Sequence, residues 1–520
     1  MKNNRLSNRL NASLGTWEVM VAGVALVVAA STMVSDFQGF FTLGGAFAIA
    51  LLLAFLINLF LGMSAADLSV AYPRAGALYD FAKAVFPGSA GRFLGVFLGL
   101  AFFGMSAFAA SGEVAAGALG LQALLPAGIP LPLCVVALYF LAALPNILGI
   151  KTTAWVSAAL LILMLGIRWF FGLAGFLDFS QTGAWSAANL DAGVGVLDWF
   201  GEQGILAAGL ALAFWSFVGI EFACSLAEEV KNPAKALPRG VILGLLLILG
   251  TSLVMGLGVT GSAPLAVWSE AANGKFGAGG DAPQMAVGQL MFGQWGYYLM
   301  ALASLAATLG SLVVFLATVP RILFSIAREG LFFGPLSGPF ARLHPRFNTP
   351  VLATVFTTLV FVVPALYSSA VIDWVYSAAY VWILLYVVYH LLAFLNRRFN
   401  PTARRAFAGK WFQGMTLLGA GAALAGLYYA FAGAHGHYGL RALIVLGGAL
   451  LATGISFRLS GAVQERPAHL EMEKLTEAEL VEDLGNMPRP GTCLHSNKKA
   501  IMIIKNQSRK EKNHVFSTSN

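Results

Sequence analysis

FWSFVGIEFACSLAEEVKNPAKALPRG, residues 214–240, is an apolar run that carries Trp215, Gly219 and Glu221 and then opens into a charged loop. A glutamate flanked by apolar residues at bilayer depth is expensive to hold there and marks a functional candidate by default. The run Glu228, Glu229, Val230, Lys231, Asn232, Pro233 that follows reads as the aqueous exit of a membrane helix. This pairing points to transport, with Glu221 at the centre of a working span.

The whole chain agrees with a membrane setting. It is 58% hydrophobic and only 11% charged, with a mean hydropathy of +0.76, outside the range of soluble globular proteins. Apolar runs recur along it, each long enough at 1.5 Å per residue to cross a hydrocarbon core of about 30 Å. They predict an all-α polytopic fold of about twelve spans. The expected spans are 17–42, 43–71, 92–122, 131–149, 152–177, 204–229, 239–261, 285–318, 349–366, 371–395, 411–432 and 439–458.

The net charge of +8 is a topology signal rather than a sign of nucleic-acid binding, because the basic residues cluster in alternate loops. With the amino terminus inside, Arg74, Lys83, Arg92, Lys151, Lys231, Lys235, Arg321, Arg328, Arg397 and Arg398 fall in or beside cytoplasmic loops. Only Lys275 and Arg441 remain outside, which satisfies the positive-inside rule. The fifth-to-sixth connection carries Asp178, Asp191, Asp198 and Glu202 without a lysine or arginine and supports the same orientation. Residues 1–16 then form a cytoplasmic arm, 17–458 the transmembrane domain and 459–520 a cytoplasmic tail. The tail has an amphipathic stretch, HLEMEKLTEAELVEDL (469–484), and a final part, 491–520, that reads as disordered. The cysteines, Cys134, Cys224 and Cys493, imply no disulfide framework.

The first and sixth spans share an interruption. In the first, Ala29, Ala30, Ser31 and Thr32 precede Ser35 and Asp36; in the sixth, Ser216, Gly219 and Glu221 interrupt the apolar run. Transporters built from inverted repeats place discontinuous helices at corresponding positions, where the broken backbone offers amides and carbonyls to substrate. Ordinary small-residue helix packing is the competing reading.

The ionisable residues inside the spans are Asp36, Glu113, Arg168, Glu221 and His390. Asp36, Glu113 and Arg168 all lie past the middle of outward-running spans, so Arg168 is expected to bridge the two carboxylates. That network is either a static ion pair that stabilises packing or a moving outer gate. Glu221, on the broken span, is the candidate proton carrier, and His390 reads as a packed, hydrogen-bonded residue. No metal-ligand cluster, His-Glu-x-x-His, nucleophile elbow or phosphate loop is present, so no cofactor, metal or enzymatic activity is expected.

The sixth span and its loop resemble the amino acid-polyamine-organocation superfamily of secondary transporters, in which an aromatic-rich broken helix precedes a Glu-x-x-Asn-Pro loop. AADLSVAYPRAGALYDFAKAVFPG (65–88), GIKTTAWVS (149–157) and VPRILFSIAREGLFFGPLSGPFARLHPRFNTP (319–350) are similar to further segments of that superfamily, in its order. The resemblance implies a five-plus-five inverted repeat with two additional helices and a mid-membrane site for an amino acid or related amine. FWSFVGIE is most similar to the arginine/agmatine antiporter branch, which implies an aromatic gate at Trp215 and an inner closure at Glu221. It further implies gating aromatics at Phe315 and Tyr380, carboxylate contacts at the backbone of Ala30, Ser31 and Thr32, and ammonium contacts at the carbonyls of Phe214, Trp215, Ser216, Phe217 and Val218, with Gly219 also lining the substrate site.

Three departures limit the resemblance. Met105 stands where that branch has a substrate-contacting asparagine, and Ala30-Ser31-Thr32 stands where Gly-Ser-Gly is usual. Met164 stands where some relatives carry a coupling lysine. The implied protein is a permease of the cytoplasmic membrane, working as a proton symporter or exchanger. A transporter-like nutrient sensor that binds without accumulating substrate is the alternative.

Overall fold

A computed structural model of the protein describes residues 10, 12–195, 197–201, 204–273, 282–367, 371–432 and 438–460. The amphipathic stretch 469–484, Cys493, Lys275 and Glu202 lie outside the described residues.

Without water in the hydrocarbon core, every backbone N–H and C=O must be bonded within its own segment, so apolar runs of this length coil into helices. They do so at each predicted span. The broken first span is α1 (Thr16–Val27) and α2 (Ala30–Leu43), followed by α3 (Phe47–Ala71), a short α4 (Leu78–Val85), α5 (Gly88–Leu124), α6 (Leu131–Leu148) and α7 (Ile150–Phe176). The broken sixth span contains α8 (Leu210–Trp215). After it come α9 (Pro233–Gly261), α10 (Leu265–Ala272), α11 (Pro283–Arg328), α12 (Ser337–Phe340), α13 (Val351–Ala365), α14 (Val371–Phe399), α15 (Trp411–Ala432) and α16 (Tyr438–Ser460). The fold is all-α, and its two breaks fall five spans apart.

Two boundaries differ from expectation for local reasons. α9 begins at Pro233 rather than 239, because proline at the first helical position has its backbone angle preset and lacks only an N–H that would be unpaired anyway. α11 runs ten residues beyond 318 to Arg328, carrying Pro320 within it. It also bends at Phe292–Gly293, where glycine takes φ +60.

α5 and α11 run side by side; α14 packs on α5 and α3, α7 packs on α11 and α9, and α9 packs on α3 in turn. Small residues permit the approach: a Cβ at Gly120 of α5 would lie 2.7 Å from the Ala301 carbonyl oxygen of α11. The outer faces of α6, α7, α15 and α16 expose Leu144, Ile162, Leu418, Ile444 and Leu451. A soluble monomer rarely shows so continuous an apolar surface, whereas lipid requires it.

Candidate functional site

The first span unwinds for two residues. Val28 and Ala29 separate α1 from α2, and Ala29 is extended at φ −88 and ψ 173, so the amides of Ala30 and Ser31 open α2 without a partner in the turn before them. The sixth span unwinds more. A π-turn (Ile205–Gly209) leads into α8, the chain turns through Ser216–Gly219, and a 3-10 helix (Ile220–Glu229) carries it to the loop. Gly219 makes that turn: its φ is +114, and a Cβ there would meet Leu26 Cδ2 at 2.1 Å. The two breaks therefore touch.

The carboxylate that meets the first break is Glu113 of α5. Its Oε1 accepts from the Ala30 amide at 2.8 Å and the Thr308 hydroxyl at 2.9 Å; its Oε2 accepts from the Ser31 amide at 3.1 Å and the Ser31 hydroxyl at 2.8 Å. Trp215 Nε1 in turn donates to Ser31 Oγ at 3.1 Å. A chain of hydrogen bonds thus runs from the predicted aromatic gate through Ser31 to Glu113. Thr32 turns back to the Val27 carbonyl and closes the break from the other side.

The expected network in which Arg168 bridges two carboxylates does not form. Arg168 of α7 pairs with Asp36 alone, Nη2 to Oδ2 at 2.6 Å, while its Nε donates to Met255 Sδ. Glu113 is drawn away by the positive end of α2, where two amides and the Ser31 hydroxyl donate to it, with Thr308 of α11 as a fourth donor. The second partner group of Asp36 comes from elsewhere: Ser216 donates to Oδ1 at 2.6 Å and Ser252 of α9 to Oδ2 at 2.8 Å. Asp36 thereby ties α2 to the turn of the sixth span.

Glu221 sits just past that turn and is fully buried. It accepts from the Gly219 amide at 3.2 Å, from Tyr386 Oη at 3.2 Å and from Trp382 Nε1, the last two four residues apart on α14. Around it lies an aromatic cluster. Phe222 stacks on Trp382 and meets Phe315 edge-on at 5.2 Å, Phe102 packs on both Phe222 and Trp382, and Phe214 lies against Tyr386. The carbonyls of Phe214 and Trp215 accept from the Phe217 and Val218 amides, and Phe217 packs on Phe55.

The other predicted positions fall as follows. Phe315 belongs to the cluster under Glu221, and Tyr380 is buried on α14. Met105 is buried on α5 eight residues before Glu113, about 12 Å along a helix rising 1.5 Å per residue. The α5 residue that reaches the first break is thus Glu113. Met164 is buried on α7, one turn before Arg168. His390 is buried and bonded to Ser64 Oγ at 2.9 Å.

A second charged layer crosses the end of the helices bearing the Glu228-Glu229 loop, and sequence reasoning missed its pairing. Arg321 makes two contacts to Glu229, at 2.6 and 3.0 Å, and Arg328 makes two to Glu228, at 2.9 and 3.0 Å. Lys83 joins Asp80 to Glu329. Burial pushes the Asp80 carboxyl up, but the charges of Lys83, Arg74 and Arg328 outweigh it and hold the group below its ordinary value. Ser13 and Leu14 donate to the Glu229 carbonyl, and Lys231 donates back to Leu14, so the segment before α1 is strapped across this layer. The signal was available: the acidic pair and both arginines stand in the two quoted segments 214–240 and 319–350, each at the charged end of a span. Trp382 and Tyr386 could have been found as an aromatic pair on one helix face, whereas nothing in the sequence announces Thr308 or Ser252.

The family described as amino acid permease matches residues 14–450. The chain is 27% identical over 370 residues to a branched-chain amino acid permease of Bacillus subtilis (strain 168), covering 67% of this chain and 73% of that one. It is 31% identical over 213 residues to the vacuolar cationic amino acid transporter 2 of Arabidopsis thaliana, covering 41% of this chain and 30% of that one. It is 28% identical over 207 residues to cationic amino acid transporter 4 of Mus musculus, covering 39% and 29%. The chain thus spans under a third of the plant and mouse relatives. The match along most of the chain, over helices broken where transporters of this kind break them, makes the protein a multi-pass membrane transporter belonging to the amino acid permease family.

Proposed function

We propose that the protein is a secondary active transporter that moves amino acids or related amines across the cytoplasmic membrane by alternating access, as a proton symporter or exchanger. The observation that carries this reading is the contact of two unwound segments, joined by the Trp215–Ser31 and Ser216–Asp36 hydrogen bonds. Substrate binds beside that junction, between α2, α5, α8, α11 and α14. Ala30, Ser31 and Thr32 form one wall and Phe214 to Gly219 the other, with Trp215 as the gate and Met105, Phe315 and Tyr380 on the surrounding helices.

Asp36 and Arg168 hold the outer end together and Glu113 secures the first break. The pairs Arg321–Glu229 and Arg328–Glu228 act as the inner gate, which must part for release. Both termini lie in the cytoplasm, in line with the positive-inside rule. Glu221 carries the coupled proton, because a carboxylate held by an amide, an indole and a phenol in the sixth break is exposed to a change of donors whenever α14 moves.

Uptake into proteoliposomes tests the reading. Trp215→Leu should reduce transport about tenfold or more, equivalent to ~1.4 kcal/mol, in protein that still purifies folded; unchanged uptake rejects the site. Glu221→Gln should abolish accumulation driven by a pH gradient while leaving exchange.

A further inference from the structure

Between Glu221 and the charged end of α14 lies a seam where α3, the 3-10 helix of the sixth span and α14 meet. Three polar side chains there are fully buried and find no partner in the protein: Tyr389 Oη and Asn396 Nδ2 of α14, and Ser69 Oγ of α3. Buried hydroxyls and amides are almost always bonded, either to protein or to ordered water. Internal water is held where several such groups converge.

The groups are in register. Trp382, Tyr386, Tyr389, Ala393 and Asn396 recur at intervals of three and four, so they share one face of α14. The first two hold Glu221. Tyr389 stands within electrostatic range of Glu221 and Cys224, and Cys224 lies beside Ser69. At the far end Tyr72 of α3 donates to Asn396 Oδ1 at 2.7 Å, next to the last turn of α14 with Arg397 and Arg398. Tyr386 and Asn396 are ten residues apart, about 15 Å along a helix rising 1.5 Å per residue. The charged groups that border the seam are committed elsewhere. Asp67 of α3 is taken by Arg397 and by the Ala406 and Phe407 amides. Asp80 and Lys83 flank Phe81, which packs on Tyr389, and they pair with each other and with Glu329. His390 is turned to Ser64 and to Gly419 of α15. From Tyr386 to Asn396, α14 carries no Asp, Glu, Lys or Arg, so the seam offers hydroxyls rather than fixed charges.

We propose that this seam is the proton's route between Glu221 and the cytoplasm: a file of water held by Tyr389, Ser69 and Asn396, with Tyr389 the relay next to the carboxylate. The inference rests on the proposed proton coupling at Glu221 and gives that proton a path. A hydroxyl takes a proton on a lone pair and gives up its own. One proton therefore leaves for each that enters, and Tyr389 ends as the neutral phenol it was.

Two measurements on the full-length protein test this. The first asks whether the seam is wet. Cys224 in the seam and Cys134 on α6 are both buried, so hydroxyl-radical footprinting in lipid nanodiscs, read by mass spectrometry, compares like with like. Cys224 should be oxidised several-fold faster than Cys134; equal rates overturn the inference. The second asks whether protons use it. Proteoliposomes are loaded with a pH-sensitive dye and given labelled leucine or arginine. Tyr389→Phe keeps the ring and removes the hydroxyl, so the ratio of pH-driven uptake to exchange at equal pH should fall about tenfold or more, with proton entry slowed alike. Ser69→Ala should shift the ratio the same way by less, and it carries the test if the Phe variant fails to fold.

If Tyr389 only filled space between the helices, its substitution would lower driven uptake and exchange together and leave their ratio unmoved, which overturns the relay. Wild type that exchanges either amino acid without accumulating it on a pH gradient overturns the relay and the proton role of Glu221, and leaves the transporter reading intact. Wild type that moves neither amino acid in either assay overturns all three.

Discussion

At the break in the first span, the open amides of Ala30 and Ser31 are met by a carboxylate 82 or more residues away, on another helix. At the break in the sixth, the Gly219 amide is met by Glu221, two residues on in the same segment. The first break is short, two residues long, and needs no glycine, because its shape is held by α5 and α11 from outside. The second is a long turn that needs Gly219 at φ +114 and holds its own carboxylate, which α14 then reads through Trp382 and Tyr386. One break is thus capped by tertiary contact and the other by local chain geometry. A carboxylate anchored locally is free to change partners when a neighbouring helix moves, whereas one that caps a helix across the bundle cannot leave without undoing the helix start. This difference leaves Glu221 free to exchange donors with α14 and ties Glu113 to the start of α2.

Asp36→Asn strikes both breaks, since Asp36 holds Arg168, Ser216 and Ser252 together. Removing one partner of a buried pair strands the other charge, and the expected loss is about 3–5 kcal/mol, read as a large fall in thermal stability and in folded yield. Gly219→Ala strikes the sixth break alone. Its strained backbone and the clash with Leu26 each cost roughly 1–3 kcal/mol, which circular dichroism melting of the purified protein would register, and transport should fall with it. Ser31→Ala is the gentlest probe of the first break. It removes the Trp215–Ser31–Glu113 link at a cost of about 1 kcal/mol, so stability should change little while substrate affinity drops. If Ser31→Ala proved as damaging as Gly219→Ala, the distinction between an externally held and a self-held break would fail.

Much of this was legible in the chain. Run lengths fixed the number of spans, because bilayer thickness leaves an apolar run little choice but a helix. Small and polar residues at 216–221 located the sixth break and those at 29–32 overlapped the first, which falls at Val28–Ala29, and Glu221, Asp36 and Arg168 announced themselves as ionisable groups where such groups are costly. The Arg168–Asp36 half of the outer network was readable as opposite charges at like depth. Its expected third member, Glu113, went elsewhere, because the sequence marks charges but not the free amides that a tertiary break creates. Met105 was given a site position on resemblance alone, while the residue of α5 that reaches the break lies two turns further on.

The sequence by itself determined a membrane-spanning helical protein with two interrupted spans and a few buried ionisable residues, since hydropathy, residue size and charge are properties that local composition carries. Only the tertiary structure decided which carboxylate meets which break, that Trp215 reaches Glu113 through Ser31, and that the Glu228-Glu229 loop closes on Arg321 and Arg328. Those pairings join residues tens to hundreds of positions apart, and what selects them is the competition among donors brought together by helix packing, which no local stretch of the chain contains.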